Sequence, residues 1–359
     1  MNNNAKVKLG SVARECRETW TGSQSGIPIV GLEHLVPGEI ELKDWDCDIE
    51  HTFSKKFRKG QVLLGRRRVY LRKAVVAPCD GICSGDITVI EAMEGMLPEL
   101  LPFVIQNDRF FDYATQGSAG SLSPRVKWDH LKDYEFSLPP LAEQKALADK
   151  LWAAYRLKDS YKKLLAATEE MVKSQFIEMF DSANKVSINA MVETVWGSSP
   201  DSSTYNEKGE GVPFYQGKTE FGNLYINPPV TYCTAPVKMA KKNSILMSVR
   251  APVGAVNIAT QDCCIGRGLA SITPKEGLST TMFVYYALKY MEEEIERLGT
   301  GSTFKAINKD SYAKIQMPQT DLDNQNKFVT VAEQADKSGF ELRKSIEAID
   351  AVIKSLINS

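Results

Sequence analysis

Long apolar runs are missing from this sequence of 359 residues. No stretch reaches the roughly 18 apolar residues of a membrane-spanning helix, and the opening residues Met1–Lys6 lack an apolar signal core. We therefore expect a cytoplasmic protein without membrane contact. The seven cysteines, an odd number in a chain of this length, favour reduced thiols over a disulfide framework.

Patterns typical of catalytic and metal sites are also scarce. The histidines His34, His51 and His130 have no recurrent partners for a catalytic triad, and the cysteines lack the paired spacings of a zinc site. Gly211–Thr219 resembles a phosphate-binding loop, but five residues separate its glycines instead of four. Asn227–Val230 lacks the aromatic residue that completes the Asn-Pro-Pro element of amino-group DNA methyltransferases. We therefore predict no catalytic centre, no cofactor and no metal.

Acidic residues are absent from two stretches that are rich in lysine and arginine. The formal net charge is only −1, yet residues 54–79 and 221–261 contain basic side chains and no Asp or Glu. Acidic residues gather elsewhere, as between Glu39 and Glu50. Such segregation suits binding to a polyanion, because phosphate contacts require local positive charge rather than a basic protein. Two solvated basic strands remain the alternative.

The sequence contains an internal duplication of about half its length. Lys59–Gly65 resembles Lys242–Ser248, and Asp80–Asp86 resembles Asp262–Gly268, at separations of 183 and 182 residues. The Gly/Ser-rich segment that begins at Gly117 recurs at Gly299. Matches in the same order at nearly one separation indicate two copies of a whole domain with its connector. The apolar runs in each copy predict short buried strands, followed by helical stretches, in a mixed α/β domain.

Each copy ends in a long segment with helical periodicity. Between Leu141 and Phe180 there is no glycine or proline. Side chains at spacings of three and four residues predict a coiled-coil seam in each copy: Leu147, Leu151, Ala154, Tyr161, Leu165, Thr168, Val172 and Gln175 in the first, and Phe328, Ala332, Ala335, Leu342, Ile346, Ile349, Ile353 and Leu356 in the second. The two helices are natural partners for each other, although a helix packed on its own domain is the alternative.

These features together resemble the specificity subunits of Type I restriction-modification systems over nearly the whole chain. The residues that carry the resemblance are Leu138–Gln144 at the head of the first helix, the Gly/Ser-rich segment before it, and Val212–Glu220 in the second copy. The resemblance implies two similar α/β target-recognition domains separated by a pair of long antiparallel coiled-coil helices, with pseudo-two-fold symmetry. The corresponding boundaries are 1–138 and 183–318 for the domains, and 139–182 and 319–359 for the helices.

The resemblance also implies a function and partners. Each domain would read one half of a bipartite, asymmetric site on double-stranded DNA. Two methyltransferase subunits would pack on the helices, and motor-nuclease subunits would join them in the full complex. The segment between Pro318 and Gln325 is two residues longer than its counterpart between Pro139 and Gln144, which leaves open where the second helix begins.

Candidate DNA-contacting residues come from the basic stretches and from the Gly/Ser/Thr-rich loops. Arginine reads guanine through two hydrogen bonds, lysine more often contacts phosphate, and small loop residues allow the backbone to approach closely. Because side chains alternate along a strand, only part of the first arginine run can face one groove. The candidates are Arg66, Arg67, Arg68, Arg72, Lys73, Ser121 and Arg125 in the first copy, and Lys218, Lys238, Arg250, Arg267, Thr303 and Lys305 in the second.

Two other functions remain open from the sequence. The chain could be a repeat-built scaffold that assembles through its helices and has no DNA role. It could also be the recognition region of a fused restriction-methylation enzyme, which would require a catalytic domain in the same polypeptide.

Overall fold

A computed structural model describes residues 5–120, 122–301 and 305–358 and shows a mixed α/β protein with two compact units. The first unit comprises Met1–Lys162 with Arg343–Ser359, and the second comprises Lys163–Leu342. Both long helices are therefore divided between the units, each of which contains one α/β domain and a segment of each helix. None of the helices in the described ranges combines the length and the apolar composition needed to span a bilayer.

In the described residues, the first unit has short strands and four short helices that precede its long helix. The strands are β1 Ala5–Lys8, β2 Ala13–Cys16, β3 Ile29–Val30, β4 Lys55–Phe57, β5 Val62–Gly65, β6 Ala74–Val76, β7 Gly81–Cys83, β8 Ile87–Ala92 and β9 Glu135–Leu138. The helices are α1 Leu9–Val12, α2 Leu101–Ile105, α3 Asp108–Gln116, α4 Trp128–Leu131 and the long α5 Leu141–Phe180. Every residue of β5 is buried, as expected for an apolar run at the centre of a domain.

The second unit repeats this arrangement. Its strands are β10 Lys185–Ser187, β11 Val192–Trp196, β12 Tyr205–Asn206, β13 Val212–Tyr215, β14 Tyr232–Cys233, β15 Met239–Ala240, β16 Ile245–Ser248, β17 Val256–Ile258, β18 Cys263–Ile265, β19 Leu269–Pro274 and β20 Gln316–Pro318. Its helices are α6 Ile188–Met191, α7 Thr281–Tyr290, α8 Glu292–Leu298, α9 Lys309–Tyr312 and the long α10 Leu322–Asn358.

The sheet topology confirms the duplication. The central antiparallel sheet has the order β2-β8-β5-β6 in the first unit and β11-β19-β16-β17 in the second. Its central pairs have equivalent registers, with Val62 opposite Ile90 and Ile245 opposite Ile272. A parallel pair also recurs, formed by β3 with β7 and by β13 with β18. The composition of Val69–Ala77 predicts a strand, but Val69–Leu71 forms a 3-10 turn and β6 begins only at Ala74.

A buried glutamine anchors each long helix to its own domain. The side-chain amide of Gln144 accepts from the backbone N–H of Leu97 at 2.8 Å and donates to the backbone oxygens of Gly95 and Pro139. Gln325 likewise accepts from the Ser279 hydroxyl and donates to the oxygens of Leu278 and Thr320. Both amides are satisfied although they are buried, so each glutamine fixes the register of a helix start.

The second long helix begins at Leu322, which settles the position that the sequence left open. Asp321 lies just before it, and its carboxylate accepts the backbone N–H of Asn324 at 2.8 Å. This contact satisfies one of the donors exposed at a helix start, so Asp321 serves as the N-cap. When the two helix starts are aligned, Asp321 stands where the first copy has Pro140.

The long helices run antiparallel where they meet inside each unit. In the first unit the start of α5 lies beside the end of α10, since Leu147 and Trp152 share a core cluster with Ile353 and Leu356. In the second unit the rings of Phe176 and Phe180 lie 5.3 and 5.6 Å from the ring of Phe328.

Burial along the helices follows the expected heptads, and α5 also buries neighbouring positions. Along α10, burial recurs at Phe328, Ala332 and Gly339. In α5 the expected positions Leu151 and Val172 are buried, and Ala148, Tyr155 and Phe176 are buried in addition, beside half-buried Leu147, Ala154 and Gln175.

Candidate nucleic-acid interface

The arginine run of the first unit follows directly from the buried strand β5. The backbone N–H of Arg66 donates to the oxygen of Asp86 at 2.9 Å, and the N–H of Arg68 donates to the oxygen of Pro124 at 2.7 Å. Arg67 forms an antiparallel backbone bridge with Arg125. These backbone contacts hold the run along the segment that follows the Gly/Ser-rich loop, which brings Arg66–Arg68 and Arg125 to one edge of the domain.

The Gly/Ser-rich loop closes on itself beside this run. Ala119 and Arg125 exchange backbone hydrogen bonds of 3.2 and 2.9 Å, and Gly120 between them has φ = 118°, a conformation that favours glycine. The guanidinium of Arg67 donates to the Ser123 hydroxyl at 3.1 Å. Ser121, predicted at this loop, lies outside the described residues. We call Arg66, Arg67, Arg68 and Arg125 the first basic edge.

The four arginines of this edge differ in their partners. Arg125 forms two hydrogen bonds with the carboxylate of Asp86, which also lies 3.7 Å from Nη1 of Arg67. The hydrogen bond from Arg125 holds the pKa of Asp86 below its usual range, so Asp86 is ionised at neutral pH. Arg66 lines a cleft with Lys55 and Trp128, and its buried Nε has no hydrogen-bond partner within the described part of the chain.

Arg72 and Lys73 are engaged inside the domain rather than displayed at the first basic edge. The guanidinium of Arg72 contacts Asp108 at 2.6 Å and Asp112 at 3.0 Å, both on α3. The ammonium of Lys73 donates to the backbone oxygen of Leu32 at 2.7 Å. These contacts indicate structural roles. A DNA contact by either residue stays a prediction.

The second unit builds the same edge from equivalent backbone contacts. The N–H of Val249 donates to the oxygen of Gly268 at 2.9 Å, as that of Arg66 does to Asp86. Arg250 forms a bridge with Ala306, and Thr300 closes the loop on Ala306, as Ala119 does on Arg125.

Three of the predicted basic residues come together at this second edge. Lys218, Arg250 and Arg267 line one cleft with Gln216 and Gly268, and we call these three the second basic edge. Lys305 immediately precedes Ala306, the bridge partner of Arg250, and its ammonium is 3.7 Å from the carboxylate of Glu296. Lys238 is exposed but is not among the residues that line this cleft. Thr303 lies outside the described residues.

Asp86 contacts arginines of the first basic edge, and Gln216 lines the cleft of the second. Neither residue was among the sequence-based candidates. Asp86 ends one of the duplicated segments, where its counterpart is Gly268, so a carboxylate replacing a glycine beside an arginine run was the available signal. Gln216 carried no comparable signal, because only the fold brings it next to Arg250 and Arg267.

One cluster with metal-ligating side chains occurs in the described ranges, formed by Glu33, His34 and Asp46. Nδ1 of His34 accepts the backbone N–H of Gly31 at 3.0 Å, so the neutral ring carries its proton on Nε2. That nitrogen lies 3.4 Å from the carboxylate of Asp46. With both nitrogens engaged in this way, the ring has no lone pair for a cation, and the contacts stabilise the loop instead.

The fold and the two basic edges define a duplicated α/β protein in which both domains build a basic edge from equivalent backbone contacts. Comparisons with known proteins agree with this class. A family model described as the type I restriction modification DNA specificity domain matches residues 182–349. The putative type I restriction enzyme MjaX specificity subunit of Methanocaldococcus jannaschii is 37% identical over 254 residues, which are 65% of this chain and 60% of that protein. The EcoDI specificity subunit of Escherichia coli is 25% identical over 146 residues, or 41% of this chain and 29% of that protein.

Solved structures agree over a larger part of the chain. A chain from a structure concerned with complex assembly and conformational transition of the type I R-M system has a TM-score of 0.62 and 27% identity, and the match covers 99% of this chain and 96% of that one. The type I S subunit from M. genitalium has a TM-score of 0.63 at 14% identity, with coverage of 99% and 96%, which shows a shared fold. Over these ranges the chain is similar to type I restriction-modification specificity subunits. The matches to MjaX and EcoDI span 60% or less of those curated relatives.

Proposed function

We propose that this chain is the DNA-reading subunit of a type I restriction-modification complex and contributes recognition rather than catalysis. The observation that carries the proposal is the basic edge built twice from equivalent backbone contacts, Arg67 with Arg125 in one unit and Arg250 with Ala306 in the other. Both edges combine arginine with a Gly/Ser/Thr-rich loop. The arginines supply cations that can contact phosphates and base edges. Each unit would read one half of a bipartite site on double-stranded DNA.

The local charge of the edges supports DNA as the ligand. Three consecutive arginines follow β5, and Lys218, Arg250 and Arg267 share one cleft in the second unit. Local clusters of this kind can bind the phosphate backbone although the whole chain is nearly neutral.

The exposed face of α5 supports docking of a methyltransferase subunit. Leu164 and Met171 are each 52% exposed and lie seven residues apart, which places them on one face of the helix, two turns apart. Exposed apolar side chains spaced in this way suit packing against a protein partner. Two methyltransferase subunits on the helices, with motor-nuclease subunits in the full complex, complete the proposed assembly. Leu164→Asp should reduce recovery of the methyltransferase in co-purification, whereas Val36→Asp, at an equally exposed loop position, should not.

Domain exchange tests the function directly. Residues 1–137 are replaced by the equivalent domain of a relative, and the preferred DNA is selected from a randomised library. Only one half-site should change, because the second unit keeps its own edge. A simultaneous change of both half-sites would contradict independent reading. Absence of salt-dependent binding to any duplex would favour the scaffold alternative.

A further inference from the structure

The contact between Arg125 and Asp86 uses one specific edge of the guanidinium. Nε of Arg125 donates to Oδ1 of Asp86 at 2.7 Å, and Nη2 donates to Oδ2 at 3.2 Å. Two parallel hydrogen bonds of this kind fix the plane of the guanidinium as well as its position. The carboxylate is itself held in place, since its side chain is 20% exposed and the backbone oxygen of Asp86 accepts from Arg66.

The remaining edge of Arg125 is available to a ligand. A guanidinium has five N–H donors, and the contact through Nε and Nη2 leaves the outer pair on Nη1 and Nη2. The oxygen of Ser123, 3.5 Å from Nη1, makes only a long contact. The side chain of Arg125 is 43% exposed, although its carboxylate partner is mostly covered.

We propose that Arg125, positioned by Asp86, reads a guanine in the half-site of the first domain. The outer Nη1–Nη2 pair matches the O6 and N7 acceptors that guanine presents in the major groove. A carboxylate beside the cation weakens attraction to phosphate, so this pair is better suited to a base than to the DNA backbone. Fixing the guanidinium in advance lowers the ordering cost of the contact. The inference rests on the proposed function and assigns Asp86 as a positioning residue.

The second unit lacks both members of this pair. Gly268 stands where the first unit has Asp86, and Ala306 stands where it has Arg125. A Cβ added to Gly268 would lie 2.3 Å from the backbone oxygen of Gln216, so no side chain fits there without movement of the backbone. The pair therefore acts in the first half-site alone, and the second domain must read its bases with other residues.

The test replaces guanine by 7-deazaguanine, which lacks the N7 acceptor. The preferred site of the full-length chain is first selected from a random library, and domain exchange assigns the first half-site. Each guanine in that half-site is then replaced in turn. At one position the wild-type affinity should fall by about 5- to 150-fold, as expected for a contact that discriminates between bases. Arg125→Ala should lose affinity for the normal site by a comparable factor and become indifferent to the replacement.

The Asp86→Asn variant separates positioning from charge. It should weaken the preference for guanine at the same position while binding to unrelated DNA stays equal or increases, because one negative charge is removed. Asp149→Asn is the matched control, since it makes the same charge change at an exposed ion pair on α5. Arg125→Lys retains the charge but not the fork, so it should also lose the guanine preference. Circular dichroism confirms that each variant is folded.

Two results would overturn the inference in different ways. If every guanine of the first half-site tolerates 7-deazaguanine, or if Arg125→Ala stays sensitive to it, Arg125 does not read guanine although the chain reads DNA. If the wild-type chain selects no preferred sequence, the proposed function fails, and the inference fails with it.

Discussion

In the first unit a carboxylate lies between Arg67 and Arg125, whereas in the second unit the equivalent position beside Arg250 is a glycine. The backbone contacts are the same, but the charges differ. The first basic edge has its cations partly neutralised and fixed in place. The second collects Lys218, Arg250 and Arg267 in one cleft, and the described residues include no carboxylate partner for Arg250. Duplication thus preserved the frame of the edge while its side chains diverged, as the proposed reading of two different half-sites requires.

The units also differ in how they hold the long helices. In the first unit the carboxylate of Glu39 accepts hydrogen bonds from Lys162 at 2.7 Å and from the Tyr155 hydroxyl at 3.0 Å, both on α5. In the second unit an aromatic cluster joins the two long helices, because Phe328 of α10 packs against Phe176 and Phe180 of α5. The shared feature is the buried glutamine. A carboxylate thus contacts α5 in the first unit, whereas an aromatic cluster joins α5 to α10 in the second, and the following changes test each contact.

The largest effect is expected from Phe328→Ala in the second unit. Phe328 is fully buried, and its ring also contacts those of Tyr286 and Tyr290. Removal of a buried phenylalanine costs about 3–5 kcal/mol of unfolding free energy, since it loses apolar burial and leaves a cavity. Urea unfolding measures the loss. Phe340→Ala on the same helix is the control, because Phe340 is 55% exposed, and its effect should stay within about 0.5 kcal/mol. Equal losses in the two variants would refute a specific contribution of this aromatic cluster to stability.

Much of the fold could be predicted from the sequence because its determinants are local or repeated. The apolar runs predict strands where β5 and β16 are found, and the repeated order of motifs predicts two domains with the same topology. The period of the helix seam could be predicted, and its positions Leu151 and Val172 are buried. The additional burial of Tyr155 and Phe176 could not, because packing partners, rather than spacing alone, choose the buried side of α5. The 3-10 turn at Val69–Leu71 was missed because its flanking arginines, Arg68 and Arg72, adopt a left-handed conformation that arginine rarely adopts.

The candidate site was less predictable. Basic stretches identified the arginines, but not which of them have acidic partners. Asp108 and Asp112 are 36 and 40 residues from Arg72 in sequence, and only the packing of α3 brings them together. Asp86 reaches Arg125 across 39 residues in the same way. Sequence patterns report charge density, whereas a binding edge depends on which charges stay uncompensated after folding.

A smaller effect is expected from Glu39→Gln in the first unit. Burial acts to raise the pKa of Glu39, but the hydrogen bonds and charges of Lys162 and Lys43 outweigh it and lower the pKa from 4.5 to about 2. A lowered pKa in the folded state stabilises the protein above pH 4.5, and this stabilisation is lost as the pH falls from 4.5 through about 2. At pH 7 the variant should lose on the order of 2 kcal/mol.

The pH dependence provides the check on that contact. The difference in unfolding free energy between wild type and Glu39→Gln should shrink between pH 4.5 and pH 2, because the wild-type carboxyl becomes neutral. Glu41→Gln serves as the control, since Glu41 is exposed and two residues away. A pH-independent difference would mean that shape rather than charge matters at Glu39.

The smallest expected effect is on the salt dependence of DNA binding, where the loss of Arg250 is compared with the loss of Arg72. Arg250 is exposed in the second basic edge and has no ion-pair partner among the described side chains, whereas Arg72 is held by two carboxylates of α3. Each phosphate contact releases counterions, so its loss lowers the slope of log affinity against log salt by about 0.9. Arg250→Ala should lower the slope by about one such contact if it binds phosphate, or keep the slope and lose sequence preference if it binds a base. Arg72→Ala should change neither quantity, because Asp108 and Asp112 already compensate the charge of Arg72. Equilibrium binding to specific and unrelated duplexes at several salt concentrations measures both. A slope loss with Arg72→Ala would show that Arg72 leaves Asp108 and Asp112 when DNA binds, and would place it in the interface as its sequence predicts.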